Sequence, residues 1–113
     1  MNGLRVVRNE IFHIRGDTGE ILLDLFSRGV AIQQDDTCDI VFTVKKSYDD
    51  DDIVMQKCIC DNRITFLTED TADLPVGDYV YDIEVRIHDA DGGPDQVATV
   101  VRNKYHLQPD VTR

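Results

Sequence analysis

Apolar and polar residues alternate with a period of two along most of this chain, and that period predicts half-buried strands rather than helices. Over residues 79–87, Tyr79, Tyr81, Ile83, Val85 and Ile87 share one face, while Asp82, Glu84, Arg86 and His88 share the other with Val80. A helix would mix these two sets, and the tyrosine and β-branched content suits a pleated surface. Cys38, Ile40, Phe42 and Val44 alternate in the same way with Asp39, Val41, Thr43 and Lys45. The longest run places Val97, Thr99, Val101, Asn103, Tyr105 and Leu107 on one face, with Ala98, Val100, Arg102, Lys104 and His106 turned away.

Shorter strands are expected at residues 11–14, 20–26, 53–59 and 63–67, with edge pieces at 4–7 and 30–33. Turn-forming residues fill the intervals at 15–19, 27–29, 34–37, 48–52, 61–62 and 89–95. No long helical period appears. Seven to nine short strands, punctuated about every ten residues, predict an all-β, immunoglobulin-like antiparallel β-sandwich. The 113 residues allow one domain, spanning 1–113, with 1–10 as a loose N-terminal edge and 108–113 as a tail.

One local pattern sharpens the expectation. Residues 68–79, TEDTADLPVGDY, read as a crossover that ends in a tight turn into the strongest strand. In immunoglobulin-like sandwiches a tyrosine at that place folds back onto upstream backbone and pins the corner between sheets. Tyr79 follows Gly77, and Leu74, five residues before it, is placed to plug the core. Tyr81 then stands where antibody domains carry a cysteine, so the core rests on packing without a disulfide.

Composition narrows the function. Twenty-two acids against twelve bases give a formal charge of −10, which repels phosphate backbones and anionic membranes. Neither nucleic acid nor a membrane is an expected partner. No apolar run approaches the roughly 20 residues that a membrane-spanning helix needs. The first ten residues, broken by Arg5, Arg8 and Glu10, lack the apolar stretch of a secretion signal. Cys38, Cys58 and Cys60 are an odd number without framework spacing, which fits a reducing compartment. Cys58 and Cys60 share a strand face and are awkwardly placed to bond each other. Buried or half-buried structural thiols are the expectation, since no second cysteine pair completes a zinc site.

Two acidic loops carry the candidate metal chemistry. The run of four aspartates at 49–52 supplies Asp50 and Asp52 as oxygen donors for Ca²⁺, but neighbours on an extended segment point alternately, so a solvated loop is the preferred reading. Asp89, Asp91 and Asp95 match the first, third and seventh positions of a calcium loop, yet Val100 stands where the closing glutamate belongs. Arg15-Gly16-Asp17 spells an adhesion tripeptide but sits in an evident turn. His13, His88 and His106 lie on separate expected strands, outside any catalytic motif. No catalytic residue and no cofactor is therefore expected, and the chain reads as a binding or building module.

Residues 15–21 (RGDTGEI), 40–46 (IVFTVKK) and 68–85 (TEDTADLPVGDYVYDIEV) together resemble small immunoglobulin-like domains of phage and prophage structural modules. The N-terminal domain of the baseplate upper protein of tailed phages is the family they resemble. The run at 97–107, followed by Pro109-Asp110-Val111-Thr112, is similar to the close of such chains. The resemblance covers most of residues 11–112, and Leu74, Gly77, Tyr79 and Tyr81-Asp82-Ile83 carry most of it. It implies a non-enzymatic structural protein of a tail, baseplate or virion surface, located in a virion or a bacterial cytoplasm. Its partners would be other virion or tail proteins, or further copies in a homo-oligomer. The alternative is an immunoglobulin-like surface-binding module for a glycan or protein, calcium-assisted through the acidic loops.

Overall fold

A computed structural model describes residues 3–27, 29–32, 38–89 and 91–110. The turn expected at 34–37 lies outside the described residues, as do Gln33, Arg28, Ala90 and the tail from Val111 onward.

The strands are β1 (Leu4–Val7), β2 (Glu10–Ile14), β3 (Gly19–Leu22), β4 (Leu25–Ser27), β5 (Val30–Ile32), β6 (Cys38–Lys45), β7 (Met55–Cys58), β8 (Arg63–Phe66), β9 (Gly77–Ile87) and β10 (Gln96–Gln108). Among the described residues one short helix, α1 (Thr68–Thr71), interrupts them. With 59% strand against 4% helix the chain is all-β in class. No helix among the described residues is long and apolar enough to cross a membrane.

Six strands form one sheet in the order β1-β2-β10-β9-β6-β7, while β3 pairs with β8 and β4 with β5. The sheet is mixed, which corrects the expectation of a purely antiparallel fold: β2 runs parallel to β10, with Tyr105 beside Ile11 and Leu107 beside His13. Side-chain alternation reports which face a residue takes but is blind to strand direction. The strand count also departs from expectation, because residues 20–26 do not form one strand. Leu23 N donates to Asn62 O at 2.8 Å, and the chain then leaves β8 to start the β4–β5 hairpin.

The alternation of β6 and β9 is read directly in their burial. Ile40, Phe42 and Val44 are buried from one side of β6, and Tyr79, Tyr81, Ile83 and Val85 from the same side of β9. Ile64 and Phe66 of β8 and Leu25 of β4 close over that face. Phe66 lies at the centre, with its ring 5.8 Å from Phe42, 6.2 Å from Tyr105 and 4.8 Å from His13.

In β10 the expected face does not persist. A bulge falls between Thr99, opposite Glu84, and Val101, opposite Ile83. One extra residue reverses parity. Val97 and Thr99 therefore lie opposite the outward Arg86 and Glu84, and Val97 is 51% exposed. Beyond the bulge, Tyr105 and Leu107 point inward as expected.

Residues 4–14 are tied into the sheet rather than loose. β1 and β2 form a hairpin whose turn residues, Arg8 and Asn9, have φ of 52° and 66°, the left-handed pair of a type I′ turn. Asp61 and Asn62, both at φ 55°, turn the chain from β7 towards β8 in the same way. At the other end β10 extends through Gln108, so the tail begins one residue later than expected.

Candidate functional site

The expected corner residues meet at the start of β9. Thr71, fully buried, accepts a hydrogen bond on Oγ1 from Gly16 N at 2.8 Å, which docks α1 onto the 15–19 turn. Leu74 packs against the core as expected. Gly77 has φ 151°, a conformation that other residues adopt only under strain. Two residues on, the Tyr79 hydroxyl donates to Pro75 O at 2.5 Å, bonding backbone four residues upstream. Tyr81 reaches the other way and donates to Asn9 O in the β1–β2 turn. Burial pushes the Tyr81 hydroxyl pKa up to about 12.

A second polar pair was not anticipated. His13 is fully buried, with Nδ1 2.6 Å from the Tyr105 hydroxyl and Nε2 2.7 Å from Asp17 O. A carbonyl only accepts, so Nε2 carries the hydrogen and Nδ1 accepts from Tyr105. Burial lowers the His13 pKa and raises that of Tyr105, which fixes both in the neutral forms this chain of bonds needs. The signal was in the sequence, since His13 shares its face with Ile11. The Arg15-Gly16-Asp17 tripeptide is the turn that supplies Asp17 O, and it is built into the fold.

The other two histidines lie on the outer face, each between two carboxylates. His106 has Nδ1 2.7 Å from Asp78 and Nε2 2.9 Å from Glu10, joining β9, β10 and β2. Phe12 stacks on it at 4.6 Å, and Arg5 lies over Phe12 at 4.9 Å. His88, just past β9, has Nε2 2.8 Å from Asp39 and Nδ1 3.3 Å from Asp95. Hydrogen bonds to these carboxylates raise both histidine pKa values, led by Asp78 for His106 and by Asp39 for His88.

The acidic loops do not combine. The 49–52 run follows β6, whose last residue Lys45 lies opposite Val80, while 89–95 follows β9, whose last residue Ile87 lies opposite Cys38. Seven residues of strand, about 23 Å, separate the two ends. Within each loop the carboxylates serve the backbone: Asp50 accepts from Asp52 N at 3.0 Å and Asp89 from Asp91 N at 2.9 Å. Asp95 also lies 3.8 Å from Arg86. Among the described residues no group of three or more His, Cys, Asp or Glu side chains is arranged to hold a metal ion.

The thiols correct one expectation. Cys38 is buried, but Cys58 and Cys60 are both exposed. Cys58 ends β7 and Cys60 follows it, and among the described residues β7 pairs only with β6. Ile59 N donates to Ile40 O at 2.8 Å, so the bonded positions of this ladder are 59, 57 and 55. The N–H and C=O of Gln56 and Cys58 consequently point away from the sheet. Between this edge and β8 runs a groove of about 450 Å³, bordered by Gln56, Cys58, Cys60, Arg63, Thr65 and Leu67. Lys57, on the inward parity of the strand, turns its amine to Asp70 at 2.7 Å.

No family model matches the chain, and no match was found among curated proteins or solved structures.

Proposed function

We propose that this chain is a non-enzymatic, immunoglobulin-like structural module of the phage or prophage type, which contributes to a tail, baseplate or virion-surface assembly by pairing through its sheet edges. The observation that carries this reading is that β1 and β7 are the outer strands of the six-stranded sheet among the described residues. An open edge presents a row of backbone donors and acceptors, which is a template for an added strand. In β1 the bonded positions include Arg5 and Val7, since Ile14 N donates to Gly3 O and the register continues in steps of two. Val6 therefore aims its backbone outward, as Gln56 and Cys58 do at the far side.

Three further features support an immunoglobulin-like arrangement. Two short ribbons cover one face of the large sheet, the Tyr79 hydroxyl bonds upstream backbone, and β9 and β10 form the long central hairpin. A few backbone bonds per edge give modest affinity, which repeated copies multiply.

Light scattering on a sizing column, over a concentration series with and without millimolar calcium, tests this function. A discrete multiple of the 12.9 kDa chain mass, unchanged by calcium, supports edge-mediated assembly. A monomer at every concentration contradicts self-assembly, and a calcium-dependent mass would move the function to the acidic loops.

A further inference from the structure

We infer that the groove beside β7 is a docking site for an extended peptide segment that carries carboxylate side chains. The inference rests on the edge-pairing function proposed above and names the edge and the chemistry of its partner.

Backbone geometry supplies the first argument. Gln56 and Cys58 together turn two N–H and two C=O groups outward, spaced for one added strand. The facing edge of β8 is partly used: Arg63 N donates to Cys60 O at 3.1 Å, which closes the groove at the 61–62 turn. An incoming strand thus has one ladder to join and one closed end to stop against.

Charge supplies the second. The chain carries −10, yet the described residues bordering this groove include Lys57 and Arg63 and no acid, the acids that meet them, Asp70 and Glu20, lying outside its border. The Arg63 guanidinium spends one nitrogen on Glu20 at 3.4 Å, in a pair whose side chains are 52% and 51% exposed. Such a surface pair is weakly held, and the remaining N–H groups of Arg63 are suited to bidentate binding of a second carboxylate. Lys57 guards the inward side of an edge strand, a device that discourages indiscriminate pairing. With its amine held by Asp70, it leaves the outward backbone accessible, and selection for a partner of opposite charge falls to Arg63.

Cys58 and Cys60 provide a built-in readout, because both thiols are exposed and border the groove. The probe is an acetylated, amidated hexapeptide of alternating valine and glutamate, compared with its lysine-for-glutamate counterpart. Maleimide labelling of the two thiols is timed on the intact chain at rising peptide concentration. The expected result is at least a tenfold slowing of labelling with the glutamate peptide, little change with the lysine peptide, and loss of the slowing in Gln56→Pro. Proline at this outward position removes an edge N–H and the exposed bond from Gln56 Nε2 to Thr43 Oγ1, and no backbone bond of the ladder. Arg63→Gln, which leaves β7 untouched, is expected to weaken the glutamate peptide at least fivefold. Unchanged labelling at millimolar glutamate peptide, or equal protection by both peptides, would overturn the inference. So would an oligomer whose two thiols label at the monomer's rate, an outcome that would leave edge-mediated assembly standing elsewhere on the chain.

Discussion

The Tyr105 hydroxyl donates to Nδ1 of His13 at 2.6 Å, across 92 residues of sequence and between parallel neighbouring strands. Both side chains are 0% exposed, so neither group has water as an alternative partner. The bond ties β10 to β2 at the place where the sheet changes from antiparallel to parallel pairing. Tyr105→Phe keeps the ring and strands Nδ1 without a donor. The expected loss is about 1–3 kcal/mol by chemical denaturation, the cost of one unsatisfied buried group. A stability within error of the wild type would show that Nδ1 needs no partner.

Tyr79 separates packing from corner formation. Tyr79→Ala removes a ring that is 6% exposed and is expected to cost about 3–5 kcal/mol. Tyr79→Phe loses only the bond to Pro75 O and is expected to cost about 1 kcal/mol. Thermal melts of the two variants check this order, and an unmoved melt for Tyr79→Ala would remove the corner from the account.

The three histidines divide the pH dependence. His106 and His88 have pKa values raised from 6.5 by their carboxylates, so their contribution is fully present below pH 6.5 and is lost as pH rises through the folded values. Burial lowers the His13 pKa from 6.5, so its contribution is present above pH 6.5 and is lost as pH falls through the folded value. The groups facing His106 are Asp78 on β9, Glu10 on β2 and, through Phe12, Arg5 on β1. NMR titration of the ring protons is expected to place His106 and His88 above 6.5 and His13 below it. His106→Gln should flatten the alkaline loss of stability and leave the acid side unchanged.

Asp50→Asn is expected to change stability by less than about 0.5 kcal/mol, because an amide oxygen can still accept from Asp52 N. Millimolar calcium is expected to leave the melting temperature in place, given that Asp50 and Asp89 already serve their own loops. A rise on adding calcium would restore the metal reading of either loop.

The sequence disclosed those features that depend on a period of two. Ile40, Phe42, Val44 and the inward row from Tyr79 to Val85 were legible because strand parity holds over their whole length. Parity failed at β10, where the bulge before Val101 turns Val97 outward with no glycine or proline to announce it. Strand direction was not legible either, as side-chain alternation is the same for parallel and antiparallel neighbours. The turn at Arg8-Asn9 was missed because arginine is a rare occupant of positive φ. At the candidate site, exposure of Cys58 and Cys60 follows from β7 lying at an edge, a property of topology and not of spacing. Lys57, by contrast, stood in plain view between Met55 and Ile59 on an otherwise apolar face.

The most direct test of edge-mediated assembly compares the wild type with a double variant, Val6→Pro and Gln56→Pro, by light scattering over a concentration series. Each proline removes an outward N–H and no bond of the native ladder, so both chains should show the same circular dichroism. The account predicts a discrete mass above 12.9 kDa for the wild type and a monomer for the variant. A wild type that stays monomeric throughout, or an oligomer that survives in the variant, would contradict it.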